Sequence, residues 1–391
     1  MKYDFDKVIN RRNTRSVKYD FFEKYGFQSD TIPLWVADMD FPAPCEVTER
    51  LKEVAAHGIF GYSQTDDRYF QAVHDWFLYN HGFNVRNEWL IKTPGIVFSI
   101  AAAIRAFTNE GDAALIQPPV YYPFQSLIES NNRRVIHSPL LYKNRKYSID
   151  FDDFNRKIEK ENVRLFILCS PHNPVGRVWT RDELTRLGDI CVKNNVIVVS
   201  DEVHCDFTYN NISHITFSTI KPEYEDISII CTAPSKTFNL AGLQAANIFI
   251  PNNELRKKFK NELSALGFGG LNMFAMTACE VAYKSGGEWL FQLKEYLEAN
   301  LDFLREYIKR YLQKINIVEP EGTYLVWLDF SEYNLSDSAI NVIIKNKARL
   351  WLHEGTHFGT QGEGFQRINI ACPRQILREA LDRLKEAFSD V

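Results

Sequence analysis

Short apolar runs punctuate the chain, and each ends in a polar or Gly/Pro-containing cluster. The run 113–116 stops at QPPVYYPF, 163–169 at SPHNPVG, 196–199 at SDEVHCDF and 227–230 at CTAPSKTF. Strongly apolar runs bounded in this way predict strands buried on both faces. Helical periodicity fills the intervals. The tetrapeptide TRDE at 180–183 has the form of a capping box and opens the stretch LTRLGDICVKNN. Strands alternating with helices predict an α/β fold: a large domain with a mostly parallel sheet between helices, joined by right-handed crossovers. Such sheets gather their chemistry at the carboxyl ends of the strands.

After about residue 250 the pattern changes to long amphipathic helices, in ELRKKFKNELSALGF and in 288–313. Strands follow at 322–329 and 367–370, with a closing helix from Gln375. This predicts a smaller α+β domain at residues 291–391, a large domain at 46–290 and an N-terminal segment, 1–45, packing with the smaller one. The boundary falls inside a helix near residue 290, since no Ser/Gly linker is present.

Composition narrows the class. A chain of 391 residues with 45% hydrophobic and 25% charged positions has the makeup of an ordinary soluble globular protein. A net charge of -4, with the basic run at 256–258 set among acids and apolar residues, predicts a solvated helix face rather than a nucleic-acid surface. The first ten residues carry no apolar leader, and the longest nearly apolar run, 96–104, is too short to cross a bilayer. These features predict a cytoplasmic protein with neither nucleic acid nor membrane as partner. Seven cysteines, an odd number without a C-x-x-C pair, predict buried reduced thiols.

Candidate chemistry sits at the strand ends. Lys236, in APSKTFN, follows a strand where packing gives a lysine no role. On its own such a lysine is a solvated surface residue. Its neighbours change that: an amine can form an imine with an aldehyde cofactor and, once freed by an incoming amino acid, move the Cα proton. Such a cofactor needs a carboxylate at its pyridinium nitrogen, and Asp201 ends the preceding strand, although a cap or a turn explains a lone aspartate as well. Asn173 offers an amide to the ring oxygen, and Tyr121 offers an aromatic face. A turn asparagine and a core tyrosine are the bland alternatives. Gly95 opens a helix with Ile96 and Val97, whose free backbone N–H groups favour a phosphate, and Ser235 adds a hydroxyl. From Asn173 to Asp201 is 28 residues and from Asp201 to Lys236 is 35, each near one βαβ unit, so all three fall on one sheet edge.

The order TPG, PPVY, SPHNPVG, SDEVH and SKTFNLAG resembles the fold-type I pyridoxal-phosphate superfamily, aminotransferase class I/II. LWVADMDFP at 34–42, FGYS at 60–63 and FQRINIACPR at 365–374 resemble its cystathionine β-lyase, or C-S lyase, branch (MalY/PatB-like), over nearly the whole chain. The resemblance implies pyridoxal 5'-phosphate as cofactor, a seven-stranded sheet in the large domain and a carbon–sulfur β-lyase that releases pyruvate, ammonia and a thiol. An aminotransferase is the first alternative and a regulatory cofactor-binding protein the second. It makes Lys236 the Schiff-base lysine, Asp201 the pyridine-nitrogen partner, Asn173 the donor to the ring oxygen and Tyr121 the stacking ring. Arg367 clamps the substrate carboxylate, with Ala37, Asp38 and Asn173 beside it. Tyr62 reaches the phosphate of a neighbouring subunit, which implies a homodimer with shared active sites. Two positions depart from many aminotransferases: Gln244 replaces an arginine eight residues after the lysine, and His204 replaces a tyrosine three residues after the aspartate. Both weigh against a typical aspartate-type transaminase.

His353 to His357 spells H-E-x-x-H, a zinc signature only when a helix brings both imidazoles to one face. The strand-like text before it, Gly355 within it and the loop-like text after it argue against that helix, so no metal site is expected. The resemblance places the segment on a loop near the substrate.

Overall fold

The computed structural model describes residues 3–389, so residues 1, 2, 390 and 391 of the expected terminal segments lie outside it. The central sheet has seven strands: β1 Leu90–Thr93, β2 Ala113–Ile116, β3 Arg134–His137, β4 Val163–Cys169, β5 Ile197–Asp201, β6 Ser228–Thr232 and β7 Ala246–Phe249. Their order is β1-β7-β6-β5-β4-β2-β3. β7 is antiparallel to both of its neighbours, and every other adjacent pair is parallel. Six strands therefore point one way, and the sheet is the mostly parallel one expected.

The inner strands β2, β6 and β7 are buried along their whole length, and β4 and β5 along all but one residue each, because helices cover both faces. The helix Arg181–Lys193 starts with the anticipated capping box, in which the Thr180 hydroxyl accepts from the Glu183 N–H and the Glu183 carboxylate accepts from the Thr180 N–H. Pairing of Cys169 with Asp201, and of Asp201 with Cys231, sets the ends of β4, β5 and β6 level.

The 25-residue helix Gly287–Tyr311 runs through the expected boundary and leads to a four-stranded antiparallel sheet. Its strands are β8 Asn316–Val318, β9 Leu325–Asp329, β10 His353–Glu354 and β11 Phe365–Asn369, in the order β8-β9-β11-β10. The N-terminal Ile32–Pro33 pairs in parallel with Leu350–Trp351, and residues 37–41 then run against the segment that follows β6. Six cysteines are buried, Cys45 is exposed, and all seven are free thiols. Among the described residues no helix is long and apolar enough to cross a membrane.

Candidate active site

A cavity of about 570 Å³ opens at the carboxyl ends of the parallel strands. β1 delivers Gly95, β2 delivers Tyr121, β4 delivers Asn173, β5 delivers Asp201 and His204, and β6 delivers Ser235 and Lys236, all in its wall. Because β7 runs the other way, the residues that precede it, Gln244 and Ala245, reach the same edge. The second sheet adds His353 and Arg367, and the N-terminal segment adds Trp35, Val36 and Ala37.

Lys236 lies on the single turn Pro234–Thr237 after β6. The turn is anchored from behind, where the Thr237 hydroxyl donates to Asp206 at 2.6 Å. Asp206 also accepts from Trp76 at 3.2 Å and bonds to His81 at 2.9 Å. From in front, the Asn239 amide exchanges hydrogen bonds with Met39 and donates to the Phe41 carbonyl. The Lys236 amine donates to the Ala37 carbonyl at 2.8 Å, which accepts from the Tyr324 hydroxyl as well. Burial pushes its pKa down to about 8, while the charges of Asp38 and Asp201 resist that fall and Arg367 adds to it.

Asp201 is 4% exposed, and its carboxylate accepts from the Val203 N–H at 3.2 Å. Burial raises its pKa to about 7, against the pull of that N–H and of Lys236. A carboxylate buried without an ion pair calls for a cationic N–H in the cavity. Asn173 gives its amide oxygen to Arg367 at 2.8 Å, which leaves its N–H donors for another acceptor. His172 bonds to the Pro119 carbonyl at 2.9 Å and ties the Asn173 loop to the Tyr121 loop. His204 is buried, its Nδ1 has no hydrogen-bond partner, and burial beside Lys236 and Arg367 holds its pKa well below the usual imidazole range.

The helix Ile96–Phe107 has Gly95 as its N-cap, at φ 143°, a conformation that L side chains rarely adopt. No side chain caps this end, so the first amides of the helix are available to an anion. Together these groups fit pyridoxal phosphate: an amine for attachment, a buried carboxylate for the ring nitrogen, an amide for the ring oxygen, the Tyr121 ring, and an uncapped helix start beside Ser235 for the phosphate.

Two expected site residues fall elsewhere. Asp38 is absent from the cavity wall because it pairs with Arg11 at 2.5 Å and lies 3.7 Å from Lys18, and it reaches the site only through its charge on Lys236. Tyr62 is fully exposed on the connection between the helices Cys45–His57 and Asp67–His81, outside the cavity of its own chain. The H-E-x-x-H segment is not a helix: His353–Glu354 is a strand, so the loop expected there is corrected for these two residues, and Gly355–Phe358 is a 3-10 turn. A Cβ on Gly355 would lie 2.0 Å from the Gly362 carbonyl oxygen, so the loop after β10 packs backbone to backbone. The sequence reading passed over Trp35 and Tyr122 as wall residues. The only signals for them were an aromatic in LWVADMD and the doubled tyrosine of PPVYY.

The aminotransferase class I and II family matches residues 29–384 of the chain. Cystathionine beta-lyase PatB of Bacillus subtilis is 45% identical over 386 residues, covering 99% of this chain and 100% of that protein. The protein MalY of Escherichia coli is 31% identical, with 100% of each chain covered. Among solved structures, cystalysin of Treponema denticola, which contains a pyridoxal 5'-phosphate cofactor, aligns over 100% of both chains at 36% identity with a TM-score of 0.96.

Proposed function

The chain belongs to the aminotransferase class I and II family, and from that premise we propose that it is a pyridoxal-phosphate-dependent carbon–sulfur β-lyase of the cystathionine β-lyase type. Its substrates are amino acids with sulfur on Cβ, and its products are pyruvate, ammonia and a thiol. The observation that carries this reading is the convergence in one cavity of a buried amine, a buried carboxylate without an ion pair and a buried arginine without a carboxylate.

Pyridoxal phosphate, when bound, supplies an electron sink for the carbon that gives up its proton. Lys236 is the attachment point and the base for that proton, and a pKa near 8 keeps a useful neutral fraction of the amine close to neutrality. Asp201 would hold the proton on the ring nitrogen, and the Asn173 amide, with His204, would serve the ring oxygen. Tyr121 gives the ring a flat wall. The amides of Gly95, Ile96 and Val97 and the Ser235 hydroxyl would take the phosphate, and Tyr62 of a second copy would complete its site. Arg367, beside Ala37 and Asn173, binds the substrate carboxylate and so fixes which Cα bond faces Lys236.

The same reading divides the chain into an N-terminal segment, 1–45, a cofactor-binding domain, 46–290, and a small domain, 291–391. It supposes a cytoplasmic homodimer. Product analysis tests the lyase. With cystathionine and no oxo-acid, the loaded protein is expected to release pyruvate and a thiol in equal amounts. Amino-group transfer that depends on an oxo-acid acceptor, with no thiol released, would make it an aminotransferase instead.

A further inference from the structure

Among the described residues two arginines are almost fully buried, and their surroundings differ in kind. Arg177, 4% exposed, is paired with Glu183 at 2.9 Å and Glu321 at 2.7 Å, as a structural guanidinium should be. Arg367, 2% exposed, has only neutral acceptors: the Asn173 amide oxygen at 2.8 Å, the Trp35 carbonyl at 2.7 Å and Nδ1 of His353 at 3.0 Å. Among the described residues no carboxylate pairs with it, and its Nε is buried without a hydrogen-bond partner. A guanidinium held in this way keeps its full charge for an incoming anion.

Of these three acceptors only the His353 side chain is titratable. It stands directly opposite Arg367 across the antiparallel pair β10-β11, so the two side chains share a face of the sheet. Both pack on Phe358, the Arg367 guanidinium 4.8 Å and the His353 ring 4.8 Å from the centre of its ring. Arginine can only donate, so Nδ1 of His353 accepts, and the imidazole is neutral with its proton on Nε2. Burial, with the charges of Arg367 and His357 beside it, holds the His353 pKa down to about 2, so the ring is neutral near neutral pH.

We infer that His353 is a positioning residue: its neutral imidazole aims the Arg367 guanidinium into the cavity without cancelling its charge, and thereby sets the affinity for the α-carboxylate of the substrate. The inference rests on the reading of Arg367 as the carboxylate clamp. An aspartate at 353 would compete with the substrate, and an aliphatic residue would leave the guanidinium without its third acceptor.

The test compares H353L with H353N in the cofactor-loaded enzyme, because asparagine places an oxygen near the Nδ1 position and leucine has the same branching with no acceptor. KM and kcat are measured for a Cβ-thio amino acid. The dissociation constant of 3-(methylthio)propanoate, a carboxylate thioether with no amine to react, is measured by calorimetry. H353L is expected to raise KM and the dissociation constant together by about tenfold, with kcat moving by less than about threefold, as follows from one lost hydrogen bond to a buried charge. H353N is expected to recover most of the lost affinity. Unchanged affinity in H353L, or equal losses in both variants, overturns the role of His353 while the clamp stands, provided that R367K binds the carboxylate far more weakly than the parent. Parental affinity in R367K removes the clamp reading, and the inference with it.

Discussion

At the scale of single residues, the proposed chemistry requires Lys236 to be a lysine that is easy to deprotonate. Burial disfavours its ammonium form and lowers its pKa to about 8, and the nearby charges of Asp38 and Asp201 limit the fall. In the cofactor-free protein, the rate at which a small amine-reactive reagent modifies Lys236 should rise with pH around a midpoint near 8, because only the neutral amine reacts. Removing either carboxylate, in D38N or D201N, takes away a stabiliser of the ammonium and should move that midpoint lower. A midpoint in the ordinary lysine range of about 10, or an upward shift in the variants, would contradict the account. The meeting of Lys236, Asp201 and Asn173 in one cavity was legible in the sequence because each lies at or just past the end of an apolar run that announces its own strand. The setting of Arg367 was not, because its acceptors come from Trp35, Asn173 and His353, which only the folded chain brings together.

At the scale of elements, the strands that a sequence announces are those in the middle of the sheet. β2 and β4 match their apolar runs residue for residue, and β5 extends two residues past its run to include Asp201 itself. β1 and β3 lie at the two edges and carry Lys92, Arg134 and His137, so they lack the continuous apolar text of a buried strand. β7 holds Asn247 in its centre, fully buried, where its side-chain oxygen accepts from the Tyr69 hydroxyl at 2.7 Å. A polar residue with a distant partner hides the strand from any local pattern. The turn that carries Lys236 shows the same limit. Thr237 is fixed by Asp206, and Asp206 by Trp76 and His81 on the helix Asp67–His81, a set of contacts that no spacing along the chain reveals.

At the scale of the whole molecule, the cavity of one chain leaves Tyr62 outside, together with the exposed apolar residues Ile59 and Phe60 on the same connection. Exposed aromatic and aliphatic side chains side by side mark a surface that a partner can cover. If Tyr62 serves the site of a second copy, a mixture of K236A and Y62A chains should form hybrids with one intact site. The mixture should then exceed the summed activity of the two variants assayed apart. No gain on mixing would show that each chain works with its own residues. The proposed activity requires a covalent cofactor bond at one amine, and that bond can be read directly. The protein loaded with pyridoxal phosphate is reduced with borohydride, digested, and mapped by mass spectrometry. A single pyridoxyl-phosphate adduct is expected, on Lys236, and none in K236A. An adduct on another lysine, or a protein that takes up no cofactor, would contradict the proposal.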